Sequence, residues 1–400
     1  MILNWWKWLL ITGLILLLTG CWNRTELNEL SIAVAMGLDI SEAGQYLVTV
    51  QLVNPKDIAS KSGGAGGSPV STFRSQGRSV FEAIRRMTTK LNRKIYLAHL
   101  RMLVIGEDLA RKGIADPIDF LSRDHELRTD FYVVIAKQAK AGDILDILTP
   151  QERIPANKMY GSLEMSEKAW AATGKMTLDM LISDLQSEGK SPVLTGMFMV
   201  GPHSKGQKMD NLQSSTVATL LQYDGIAVFK SDKLIGWLNE NDSKGYNFIQ
   251  GKVKSTVGVQ KCLGGEVAVE LIRTKTKIKG HLTSDGEPEV SIEVYAEGNV
   301  GDVTCDINML DPSSIQQIEQ ISAQTIKASI QDAVRNTQRR YKTDIFGFGE
   351  ALRRAYPKHW KQWKQNWDDT FVNLKVQVTV DVDIRRTGTI NQSVKSRVRK

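Results

Sequence analysis

Leu16–Leu30 reads LLLTGCWNRTELNEL and holds Cys21, the first of three cysteines, where an apolar segment gives way to polar sequence. How this stretch is read decides where the fold begins. An ordinary thiol beside a membrane helix would leave everything before it inside the structure. A cysteine at which the mature chain starts would leave it out. The flanks favour the second reading. Lys7 precedes a nearly unbroken apolar run from Trp8 to Leu18, and the small residues Thr19 and Gly20 stand just before the cysteine. That is the order of a positive n-region, a short apolar h-region and a small-residue cleavage site. A bilayer core of roughly 30 Å asks for about 20 apolar residues. Counted even from Trp5, the run makes only a tilted, marginal span.

Leu18-Thr19-Gly20-Cys21 resembles the bacterial lipobox, in which the cysteine thiol is alkylated by diacylglycerol before cleavage. Met1–Gly20 is then a cleaved lipoprotein signal peptide and Cys21 the lipidated first residue. The anchoring follows from chain arithmetic. Each buried methylene contributes about 0.8 kcal/mol, so one acyl chain binds marginally and two bind stably.

The rest of the chain reads as globular. Of 400 residues, 42% are hydrophobic and 24% charged, which excludes disordered and collagen-like classes. The net charge of +8 is compatible with nucleic acid, an anionic membrane or an acidic envelope polymer, but it is spread over most of the sequence. Cys262 and Cys305 make no disulfide framework and no CxxC pair. Two buried thiols are favoured over one disulfide.

Residues 21–195 alternate strand and helix signals and are assigned to an N-terminal α/β domain. Leu30–Ile40 and Tyr46–Val53 read as strands across a short turn. Lys61–Pro69 is glycine-rich but has no Lys-Ser/Thr at P-loop spacing, so it is a flexible loop. Ser79 opens a helix with Phe81, Ile84, Met87 and Leu91 on its apolar face. Leu100–Ile105 and Phe131–Ala136 are strands, Pro117 an N1 proline, and Ala141–Leu148, Met165–Ala172 and Leu178–Ser187 helices. Pro192 marks a boundary. Residues 196–255 form a middle domain with a hairpin across Ser231-Asp232-Lys233. Residues 256–400 form a C-terminal α/β domain, with strands around Thr283–Gly286, a long helix capped at Asp311 and a final strand, Phe371–Ile384. The expected fold class is mixed α/β (α+β), a three-domain ectodomain with mixed sheets flanked by helices.

Catalytic patterns are absent from the sequence. His99, His125, His203, His281 and His359 are dispersed, none at metal-ligand spacing. Arg123-Asp124-His125-Glu126 reads as a solvated helix end. Asp381 and Asp383 share a strand face, which reads as exposed surface rather than a carboxylate pair. There is no GxSxG elbow or cysteine nucleophile motif. No catalytic residue, metal or cofactor is expected. Trp360, Trp363 and Trp367 recur at helical spacing near Lys358, Lys361 and Lys364. A core-facing stripe is favoured, and a partner or membrane-interface face is the alternative. The basic end, Arg385-Arg386 to Lys400, reads as a solvated tail.

Three segments together resemble one family. Cys21-Trp22-Asn23-Arg24-Thr25-Glu26-Leu27 is similar to the opening of the Ger(x)C spore germination lipoproteins, with Asn23 and Thr25 departing from the commonest pattern. Gly77–Ala83, Arg93–His99, Gly106-Glu107 and Phe120–Asp124 resemble the first domain. Asp344-Ile345-Phe346-Gly347-Phe348-Gly349, Tyr356-Pro357, Trp360, Trp367 and Ile384–Gly388 resemble the closing signature. The resemblance implies the C subunit of a nutrient germinant receptor, lipid-anchored at the inner spore membrane with its ectodomain on the outer, cortex-facing side. It implies partnership with the membrane A and B subunits, no nucleic acid and no enzymatic activity. The alternatives are a solute-binding lipoprotein that captures the germinant, or an envelope-polymer hydrolase.

Overall fold

A computed structural model describes residues 26–59 and 67–386, apart from 263, 306 and 310, together with Trp5, Trp6 and Trp8. Cys21, nearly all of Met1–Gly20, most of the glycine loop and the basic tail beyond Arg386 lie outside the described residues. Among the described residues no helix is long and apolar enough to cross a membrane.

The first sheet contains β1 (Leu30–Ile40), β2 (Tyr46–Val53), β3 (Val70–Gly77), β4 (Lys94–Tyr96), β5 (Met102–Gly106), β6 (Tyr132–Ala136), β7 (Val193–Val200), β8 (Leu220–Lys230) and β9 (Lys233–Leu238). Their order is β3-β2-β1-β5-β6-β7-β8-β9, with β4 beside the start of β1. The centre, β1-β5-β6-β7, is parallel and both margins are antiparallel. Every residue of β5 and β6 is buried, as continuous apolar runs covered on both faces must be. Met102, Val104, Val134 and Ala136 face helices Ala141–Leu145 and Pro155–Ala169. Leu103, Ile105, Val133 and Ile135 face helices Val80–Met87, Ala115–Arg123 and Leu178–Gln186.

The second sheet is β10 (Thr256–Cys262), β11 (Gly265–Leu282), β12 (Pro288–Val303) and β13 (Lys375–Arg386), in that order. The first three form an antiparallel meander, and β13 returns parallel to β12. A parallel return needs a crossover, supplied by helix Pro312–Asn336. Asp311 caps it by accepting from Ser313 N at 2.9 Å. Its buried side, Ile318, Ile326, Ile330 and Val334, packs on the sheet and joins the core that runs back to the first sheet. The mixed α/β class with helix-flanked mixed sheets is as expected.

Several expectations are corrected. The boundary drawn at 195 falls inside β7, and the segment 196–255 supplies β8 and β9 to the first sheet. The strand after Pro192 pairs with β6, a contact between segments far apart in sequence. On helix Val80–Met87 the buried residues are Val80, Ala83 and Met87, while Phe81 is 50% exposed. Pro117 is the third residue of its helix rather than N1. The helix expected at Met165–Ala172 begins at Pro155. Phe371 closes a helix, Trp367–Asn373, and the last strand starts at Lys375.

Cys262 and Cys305 form a disulfide, with Cα atoms 5.9 Å apart, which corrects the expectation of two thiols. The meander register explains it. Cys262 lies opposite Gly265 on β11, and Val303, two residues before Cys305, lies opposite Val267. The strands on either side of β11 therefore bring the two cysteines together.

Candidate functional site: the cleft between the sheets

Between the loop before β7 and the C-terminal helical segments, a cleft of about 500 Å³ is lined by the loop Ser187–Pro192, by Thr343 and Asp344, and by Lys364–Asp369. Its charged groups converge but are mutually satisfied. Lys190 Nζ donates to both Asp184 oxygens at 2.9 Å, Lys230 lies 2.7 Å from Asp368, and Lys364 lies 2.9 Å from Glu188. The walls are tied together by Ser191, whose backbone N–H donates to Asp344 O at 2.6 Å and whose hydroxyl meets that of Thr343 at 2.7 Å.

The signature Asp344–Gly349 builds the far wall. The Asp344 carboxylate accepts the backbone N–H groups of Phe346 (2.9 Å), Gly347 (2.9 Å) and Gly349 (2.8 Å). These lie at the start of helix Phe348–Ala355, where N–H groups have no intrahelical partner. Gly347 holds φ +79°, a left-handed conformation suited to glycine. Phe346 and Phe348 stack 5.1 Å apart in the core. Burial pushes the Asp344 carboxyl up to about 7, against the opposing pull of the three N–H donors.

Gly349 meets Gly189 across the joint. A Cβ on Gly189 would lie 2.8 Å from the Gly349 backbone, and one on Gly349 would lie 2.7 Å from Gly189 Cα and 2.8 Å from the Trp360 ring. The two backbones touch because neither carries a side chain.

Of the tryptophan stripe, Trp360 and Trp367 are 4% and 6% exposed and meet edge to face at 5.1 Å behind this joint. The partner-face alternative is therefore corrected for these two. Trp363 is half-buried and stacks on His359 at 5.5 Å. The stripe spans two helices, Pro357–Trp363 and Trp367–Asn373, which is why one helical face does not carry all three.

The dispersed histidines stay apart, but folding brings His203 to Asp143 and Asp146, three ligand atoms within 4.8 Å of one another. Asp143-x-x-Asp146 at helical spacing was the only sequence signal for this set. Arg74 already pairs with both acids, 2.6 Å from Asp146 and 3.8 Å from Asp143, and Thr72 Oγ1 donates to Asp146 at 2.8 Å. Asp383 is engaged by Arg385 at 3.1 Å. Arg123 pairs with Asp119 at 2.9 Å on an exposed helix end.

Comparisons with known proteins cover most of the chain. The family profile described as Spore germination protein N-terminal domain matches residues 23–198, and Spore germination B3/GerAC like, C-terminal, matches 224–388. Spore germination protein KC of Bacillus subtilis is 32% identical over 392 residues, covering 95% of each chain. Spore germination protein B3 of the same organism is 25% identical, covering 95% of this chain and 97% of that one. The crystal structure of the GerBC protein superposes with a TM-score of 0.54 at 21% identity, over 88% of this chain and 98% of that chain, and so shares the fold. The closing signature, which the structure explains as a capped joint between two sheets, thus stands in a chain that belongs to the Ger(x)C family of spore germination proteins.

Proposed function

We propose that this chain is the lipid-anchored, non-enzymatic C subunit of a nutrient germinant receptor. It sits at the inner spore membrane with its ectodomain facing the cortex, and it serves assembly or signalling through contacts with the membrane A and B subunits. The observation that carries the reading is end-to-end similarity to spore germination proteins across both halves of the chain. The cleft supports a scaffold role, because its lysines are spent on internal ion pairs rather than held for a substrate. Acylation of Cys21 would confine the chain to two dimensions and raise its effective concentration near its partners without any new contact.

Cys21→Ala is expected to leave the ectodomain folded, release it from the membrane fraction and weaken the germination response. Normal germination by unlipidated protein at normal membrane abundance would overturn the anchoring role. Co-purification from spore membranes is expected to bring the A and B subunits along.

The alternative reading, capture of the nutrient itself, would need this 500 Å³ cleft to take the ligand. Calorimetry of the ectodomain against germinants separates the two, since micromolar binding would promote nutrient capture.

A further inference from the structure

Between helices Val80–Met87 and Ala115–Arg123 runs an apolar groove of about 330 Å³, distant in sequence from the cleft. Phe81, the residue the helical pattern would have buried, stands in it with its ring 5.7 Å from that of Phe120. Ile84, Ile95 and Leu97 complete its apolar wall. The Arg85 guanidinium lies 5.1 Å over the Phe81 ring.

One wall of this groove is also strongly basic. Residues 78–94 carry Arg78, Arg85, Arg86, Lys90, Arg93 and Lys94 against one acid, Glu82, a surplus of five in a chain whose net charge is +8. Arg78 and Arg86 pair with Glu82, and Lys94 pairs with Glu126. Arg85, Lys90 and Arg93 make no ion pair among the described residues, and all three are exposed. On the other wall, Asp124 and Glu126 line the groove together with Arg123.

The position of the face matters as much as its chemistry. β4 runs parallel to the start of β1, with Lys94 opposite Leu30. The groove and its cations therefore sit at the end where the chain enters the fold. Cys21 stands nine residues before Leu30, a reach of at most about 30 Å when extended.

We propose that this face, with Phe81 and Phe120 flanked by Arg85, Lys90 and Arg93, seats on the anionic headgroups of the membrane that carries the chain. Aromatic rings beside cations suit the boundary between headgroups and acyl chains, and anionic leaflets attract basic segments close to an anchor. The face would set the orientation of the ectodomain, where a tether alone would let it tumble. Its placement rests on the reading of Cys21 as acylated. Its affinity for the surface does not.

The test uses two forms of the protein. The chain from Trp22 carries the whole described fold, whose buried core begins at Ala33. It is expected to float with vesicles containing phosphatidylglycerol and not with pure phosphatidylcholine vesicles. Each cation near an anionic surface contributes about 1 kcal/mol, so Arg85→Ser and Arg93→Ser are each expected to weaken flotation about fivefold. Phe81→Ser is expected to weaken it too, and all three variants should keep the parent melting profile. Equal binding to both vesicle types, or binding indifferent to these substitutions, overturns the proposal. The acylated full chain in phosphatidylglycerol vesicles is expected to show slowed hydrogen exchange over 80–94. Slowing seen only when the other receptor subunits are present would make the face a protein contact and also overturn it. If the full chain leaves the membrane while the chain from Trp22 still binds anionic vesicles, the anchor reading falls and this one stands.

Discussion

Asp344 is a carboxylate with three backbone donors and almost no water. Folding shelters it so fully that its carboxyl is pushed up to about 7, above the value near 3.8 it has when exposed. A proton is therefore bound more tightly in the folded chain than in the unfolded one. The stability this brings is full below about 4 and is lost as pH rises toward about 7. Urea denaturation at pH 5 and pH 8 is expected to show the wild type weaker at the higher pH, and Asp344→Asn is expected to flatten that difference. The amide puts an NH2 group where Oδ2 faces the Gly349 N–H, so that donor loses its acceptor, at a cost of about 1–3 kcal/mol. The sequence marked this aspartate as part of a motif but not its task, because a cap is recognised only once the helix start at Phe348 is known. Phe81 shows the opposite failure. Its spacing with Ile84 and Met87 is that of a buried stripe, and only the packing of Val80 and Ala83 against the sheet turns it outward.

Among the elements, the contact between the loop before β7 and the helix at Phe348 has little slack. Gly189→Ala and Gly349→Ala each place a methyl group inside 3.0 Å of backbone and are expected to cost about 1–3 kcal/mol or more by overpacking, read as a lowered melting temperature. Gly161, within helix Pro155–Ala169, has nothing within 4 Å of an added Cβ. Gly161→Ala is expected to raise stability by about 0.5–1 kcal/mol, which makes it the matched control. Elements set by local signals were legible. β1 and β2 flank a short turn, Ser231-Asp232 closes the β8–β9 hairpin, and Asp311 caps the long helix where expected. Helix Glu240–Ile249 was missed because its sequence, ENDSKGYNFI, is rich in residues that favour caps and turns over helix interiors. It forms because Tyr246, Phe248 and Ile249 are buried, a tertiary reason that a local window does not contain.

At the scale of the whole molecule, the sheet ignores the division into three domains. β7 joins β6 on one side and β8 on the other, so the segment read as a middle domain completes the first sheet. Pairing between β6 and β7 spans nearly 60 residues of intervening helices, beyond what turn and periodicity signals reach. The disulfide acts at this scale as well. Closing a loop of 43 residues restricts the unfolded chain by about 4 kcal/mol on chain-entropy grounds. Denaturation in the presence of a strong reductant is expected to reveal a loss of up to that size, and a chain indifferent to reductant would contradict a formed bridge. The same bond records the chain's history. Structural disulfides form in oxidising compartments and are rare where glutathione keeps thiols reduced. Alkylating spore proteins before and after reduction would therefore read out, from Cys262 and Cys305 alone, whether this chain completed its fold in an oxidising compartment.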